Sequence, residues 1–73
     1  MAAFFAPVSG REFVKKLKRA GWTFDRQQGS HMMLTHPGYR WTLSVPDHRE
    51  LGQGLIRKLL KQAGLTIEQF RSL

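Results

Sequence analysis

Apolar residues recur at Phe13, Val14, Leu17 and Ala20, a spacing that predicts a first helix from Gly10 to Ala20. In front of it, Ser9-Gly10-Arg11-Glu12 matches a capping box, in which a Ser hydroxyl and a Glu carboxylate satisfy backbone donors at the helix start. Gly21 behind it supplies a stop. The period then changes to two. Trp22 to Arg26 alternates as a first strand, and Gln27-Gln28-Gly29-Ser30 breaks the pattern as a turn. His31 to His36 forms a second strand, Pro37-Gly38 a turn, and Tyr39 to Val45 a third strand. After a loop with two glycines, Leu55, Ile56, Leu59, Leu60 and Ala63 return to helical spacing, with Gly64 as the stop. Thr66-Ile67-Glu68-Gln69 looks like another capping box, opening a short helical turn that ends near Phe70. The order is α–β–β–β–α, an α+β domain. A three-stranded antiparallel sheet with both helices on one face closes one core and leaves the other sheet face wet.

Strand parity decides what that wet face carries. Turning Met32 and Leu34 inward buries two large apolar groups and leaves His31, Met33 and Thr35 outside. A tight hairpin at Pro37-Gly38 pairs His36 with Tyr39, Leu34 with Trp41 and Met32 with Leu43, so the apolar residues of both strands share a face. In that register His31 lies across from Ser44 on the open face. Trp22, Phe24, Trp41 and the helix leucines are assigned to the core.

Composition narrows the class. The chain has 73 residues, one small domain without room for a deep cofactor cavity. At 41% hydrophobic it is too apolar for a disordered tail. The absence of cysteine removes a disulfide framework, a thiolate nucleophile and every Cys-based zinc site. Residues 1–8 read as an apolar leader. It has no cationic start and is too short for a secretory segment. A small domain without disulfide staples suits the reducing cytoplasm, which is the expected setting. No stretch approaches the ~18 apolar residues of a membrane span. The folded domain is expected over 9–73.

The formal charge of +7 changes the picture most. Arg11, Lys15, Lys16, Lys18 and Arg19 crowd the polar face of the first helix, and Arg57, Lys58 and Lys61 lie on the second. A solvated helix face is the bland account. Acids that could neutralise this one are scarce, with only Glu12 in the first helix, and phosphate backbones are the common polyanion for such a surface. A membrane surface fits less well, because the same helix needs its apolar stripe for the core. Histidine is the only neutral-pH acid–base group present in number. His31, beside the Gly29-Ser30 turn, could take a proton from a sugar 2′-hydroxyl while Ser30 and the backbone N–H groups of the turn hold a phosphate oxygen. Structurally it is merely a polar residue starting a strand. His48, next to Asp47, is a candidate second proton-transfer group, or simply caps its loop. His36, before Pro37, reads as a turn histidine. Three histidines without cysteines or well-spaced carboxylates make a poor metal constellation, so no metal or cofactor is expected.

Several stretches resemble one family. These are Ser9-Gly10-Arg11-Glu12, Gly21-Trp22, Arg26-Gln27-Gln28-Gly29-Ser30-His31, His36-Pro37, Val45-Pro46-Asp47-His48-Arg49-Glu50-Leu51 and Leu59-Leu60-Lys61-Gln62-Ala63-Gly64-Leu65. Together they resemble the HicA family of bacterial toxins, from about Ser9 to Phe70. The resemblance implies a fold like the double-stranded RNA-binding domain. It also implies a metal-independent endoribonuclease that cleaves mRNA, with His31 as the catalytic residue, and a HicB antitoxin that binds the toxin and masks that histidine. Contact with DNA by the toxin alone is not expected. Under this reading Arg11, Lys15, Lys16, Lys18, Arg19, Arg26, Gly29 and Ser30 hold the RNA. The alternative is a non-catalytic double-stranded RNA-binding module, which needs no titratable group at residue 31.

Overall fold

The computed structural model describes residues 7–73. Helix α1 spans Gly10–Arg19, strands β1, β2 and β3 span Thr23–Gln28, His31–Thr35 and Leu43–Pro46, and helices α2 and α3 span Gln53–Gln62 and Ile67–Ser72. The sheet is antiparallel in the order β1-β2-β3. The α+β architecture expected from the spacing is the one observed, with the terminal turn formed as a true short helix.

Both capping boxes form. The Ser9 hydroxyl accepts from the Glu12 N–H at 3.1 Å while the Glu12 carboxylate accepts from the Ser9 N–H at 3.0 Å. Thr66 and Gln69 make the same reciprocal pair at 3.1 and 2.8 Å. Each pair satisfies two donors that the first turn of a helix otherwise leaves without partners.

One core lies between the helices and one sheet face. Phe13, Val14 and Leu17 from α1 meet Met32 and Leu34 from β2, Leu43 and Val45 from β3, Ile56, Leu59 and Leu60 from α2, and Phe70 from α3. The Phe13 and Phe70 rings are 5.1 Å apart, which joins the first and last helices. Val8, grouped by its apolar surroundings with the leader, packs against this core, and its carbonyl accepts the Leu51 N–H at 2.8 Å. Residues 1–6 of the expected leader lie outside the described residues.

Three expectations need correction. The first concerns the β2–β3 register, which pairs Leu34 with Leu43, Met32 with Val45, Met33 with Ser44 and His31 with Pro46. This is two residues away from the tight-hairpin pairing. Because side chains alternate with period two, an even shift leaves every side chain on its expected face. The shift arises because β3 starts at Leu43 rather than Tyr39, so residues 36–42 form a broad loop instead of a hairpin turn.

The second concerns Trp41, which is 49% exposed and outside any strand. Its indole N–H donates to the Gln62 carbonyl at 2.8 Å, at the end of α2, and its ring lies 5.2 Å from that of Tyr39. The third is Phe24, 39% exposed. It sits opposite buried Leu34, on the helix side of the sheet, but β1 is an edge strand and α1 leaves this flank open. Trp22, by contrast, is buried as expected.

Candidate functional site: the Gly29–His31 turn and the loop after β3

The turn between β1 and β2 is tighter than the sequence pattern indicates. Gln27 and Gln28 continue the ladder, Gln28 pairs with His31, and only Gly29 and Ser30 remain in the loop. Gly29 has φ +59 and no non-glycine residue in the described chain has positive φ, the sign pattern of a two-residue type II′ hairpin. A Cβ placed on Gly29 would meet nothing within 4 Å, so the outer side of the turn is open.

A bulge determines what surrounds His31. The ladder runs Phe24 opposite Leu34, then Arg26 opposite Met33, passing over Asp25. An unbroken alternation would put Arg26 on the same face as Phe24. The extra residue turns Arg26 over, so Arg26, Gln28, His31 and Met33 share the open face. The Arg26 guanidinium bonds its neighbour Asp25, and its other nitrogen donates to Gln28 Oε1 at 3.3 Å. Gln28 is in turn the direct cross-strand neighbour of His31. His31 itself is exposed, at the first position of its strand.

The loop after β3 clamps the turn from the other side. The Asp47 N–H donates to the Ser30 carbonyl at 2.7 Å, and the Gly10 N–H donates to the His48 carbonyl at 2.9 Å. The Asp47 carboxylate takes both a 3.1 Å bond from Arg11 Nε and a 3.4 Å bond from Arg11 Nη2. The Gln27 side-chain amide donates to the Gly29 carbonyl at 3.2 Å, which braces the turn from within. The Arg11 bond leads in holding the Asp47 carboxyl below the ordinary carboxylate range, and the same bond pushes the Arg11 guanidinium up. Gly10 allows the close approach: a Cβ there would lie 1.9 Å from the Pro46 carbonyl oxygen. The turn, the end of β3 and the start of α1 are therefore locked together around His31.

The sequence-derived candidates separate accordingly. His48 lies two residues past Pro46, the partner of His31, so both exposed imidazoles are at one end of the sheet. His36 follows the far end of β2, about 17 Å along the strand from His31. There its Nδ1 accepts the Gly38 N–H at 2.8 Å, and its ring packs 5.1 Å from both Trp22 and Tyr39. It is a structural residue of the aromatic end. Arg11, Lys15 and Lys18 line one flank of α1. Lys16 faces the opposite flank, half-buried, with Nζ 4.6 Å over the Phe70 ring and 3.4 Å from the Phe70 carbonyl. Arg19 is exposed between the two flanks. Sequence reasoning missed Gln28 and Asp47 as parts of the site. The adjacency of Asp47 to His48 was visible, but its bonds to Ser30 and Arg11 span long stretches of chain. Among the described residues no group of three His, Cys, Asp or Glu could hold a metal ion.

A small basic domain with a double-stranded-RNA-binding-type α–β–β–β–α fold, carrying an exposed histidine on its open sheet face, is the class these features define. The family model described as "HicA toxin of bacterial toxin-antitoxin" matches residues 10–65, and the chain belongs to that family. A solved structure, the "HicA3 and HicB3 toxin-antitoxin complex", contains a chain similar to this one at 32% identity and a TM-score of 0.66, covering 82% of this chain and 98% of that one. No curated protein matches the chain.

Proposed function

We propose that this HicA-family toxin is an endoribonuclease that cuts mRNA without a metal ion, using His31 as its acid–base group. His31 takes the proton from a ribose 2′-hydroxyl. The freed oxygen then attacks the adjacent phosphorus in line, and the bond to the 5′-oxygen breaks. The products are a 2′,3′-cyclic phosphate and a 5′-hydroxyl end, whose proton comes from a general acid. His48, at the same end of the sheet, is the residue we assign to that step. Arg26 and the N–H groups of the open Gly29–Ser30 turn stabilise the charge that builds on the phosphorane.

The observation that carries this reading is the exposed position of His31, beside Gln28 and Arg26 on the uncovered sheet face and on a turn pinned by Asp47. A residue kept for stability alone would gain nothing from that placement. General acid–base help supplies about 10²–10⁴-fold, enough for one histidine on a prepared basic surface to give an effective toxin.

The partner we assign is a HicB-type antitoxin, on the strength of the similar chain solved in a HicA3–HicB3 complex. It would act by covering the His31 face. The site of action is the cytoplasm, where mRNA is found, and no described helix is long and apolar enough to cross a membrane.

The test is His31→Ala. The variant should melt with the wild type and leave a single-stranded transcript intact, and its expression should not arrest bacterial growth. Purified variant that cuts at the wild-type rate would remove His31 from the chemistry. A wild-type protein that binds duplex but never shortens a transcript would instead make this a binding module.

A further inference from the structure

On the other side of β1 from His31, a groove of about 340 Å³ runs between α1 and the edge strand. Arg11, Lys15 and Lys18 form its helix wall, and Phe24 and Gln27 its strand wall. Among the described residues no acid lines it. Neither Lys15 nor Lys18 makes an ion pair among the described residues, and Lys18 Nζ stands 6.0 Å from the centre of the Phe24 ring. Phe24 is one of two large apolar residues in the described chain that remain exposed.

We propose that this groove is a base-stacking subsite for single-stranded RNA, seating a base on Phe24 with the neighbouring phosphates on Lys15 and Lys18. The proposal rests on the ribonuclease reading and adds to it where a nucleotide flanking the cut is held. An aromatic face among unpaired cations is the combination that single-strand binders use. The ring accepts any base and the cations track the backbone.

Two features favour RNA over an acidic protein segment as the occupant. First, the groove and the His31 site lie on opposite faces of the same edge strand. Gln27 faces the groove opposite Met32, while Gln28 faces the open side opposite His31, so adjacent residues of one edge strand border both places. A flexible strand that rounds this edge reaches Phe24 a few nucleotides from the bond beside His31. Second, two groove residues tie it to the turn that presents His31: Arg11 bonds Asp47, whose N–H holds the Ser30 carbonyl, and the Gln27 amide donates to the Gly29 carbonyl. A duplex keeps its bases stacked inside and cannot place one on Phe24.

Binding of a short fluorescein-labelled single-stranded RNA to the His31→Ala protein, followed by anisotropy, tests the subsite without cleavage. Phe24→Ala should weaken binding roughly 5- to 150-fold, the range for removing one stacked base. Phe24→Trp should keep it, and Phe24→Leu should lose most of it despite filling similar space. Affinity for a duplex RNA should not change. Matched melting curves would show that all variants fold. Unchanged single-strand affinity in Phe24→Ala, or full affinity in Phe24→Leu, overturns the subsite. So does a Phe24→Ala protein that keeps RNA affinity but no longer binds a HicB-type antitoxin, because the groove then belongs to the protein partner. Since every arm is read in His31→Ala, the subsite stands or falls separately from the cleavage reading.

Discussion

The backbone N–H of Asp47 donates to the carbonyl of Ser30 at 2.7 Å, joining the loop after β3 to the turn that presents His31. The Asp47 side chain meanwhile holds Arg11 at the start of α1, with the Arg11 side chain 80% exposed and that of Asp47 only 23%. One residue therefore bridges three elements, and the bridge bears on the position of the imidazole more than on global stability. Exposed ion pairs add little to folding. Asp47→Ala should lower cleavage at least several-fold with little change in melting temperature. Both variants keep the backbone bond to Ser30, so Asp47→Asn, which also keeps one side-chain acceptor for Arg11, should recover part of the activity.

Acid should release the same clamp. The Arg11 bond holds the Asp47 carboxyl below its ordinary range. Its contribution is therefore present above the unfolded-chain carboxylate value and disappears as pH falls through the lowered folded value. Glu12, lowered chiefly by its bonds with Ser9, behaves the same way. Melting temperatures of wild type and Asp47→Asn, measured from neutral pH downward, should show a gap that is small at neutrality and closes in acid. A gap that widens on acidification contradicts the assignment.

The cations of α1 should divide by flank. Lys15 belongs to the open groove wall. Its replacement by Ala should weaken RNA binding and flatten the salt dependence by about 0.7, the slope that one neutralised phosphate adds on a single strand. Lys16 is engaged with the Phe70 ring and carbonyl. Lys16→Ala should instead lower the melting temperature and leave the salt slope unchanged. Paired titrations at several salt concentrations and thermal melts separate the two.

Gly10 and Gly29 should respond differently to a methyl group. At Gly10 the added Cβ meets the Pro46 carbonyl oxygen at 1.9 Å, against backbone that cannot swing aside. Gly10→Ala should cost about 2 kcal/mol or more, since close-packed interiors resist added volume, and should disturb cleavage by moving α1 from β3. At Gly29 the space is empty and only the left-handed φ of +59 resists. Gly29→Ala and Gly29→Asn should each cost about 1–2 kcal/mol, because the first central position of a type II′ turn favours glycine over residues with a Cβ. Denaturant unfolding of the three variants gives the order.

The element order, both capping boxes, the core of Phe13, Leu17, Leu34, Ile56 and Leu60, and the outward face of His31 are all legible in the order of residues. Each follows from short-range spacing: a Ser three residues before a Glu, a period of 3.6 or of two. Parity even survived a two-residue error in register, because an even shift preserves faces. The features that emerge on folding depend on atoms far apart in the chain. The Asp25 bulge that carries Arg26 to the His31 face shows only against β2. The exposure of Phe24 depends on where α1 lies across the sheet, and that of Trp41 on the late start of β3. The separation of Lys16 from Lys15 depends on where α3 docks. Local patterns encode which way a side chain points, whereas its neighbours are set by packing between segments that no spacing rule connects.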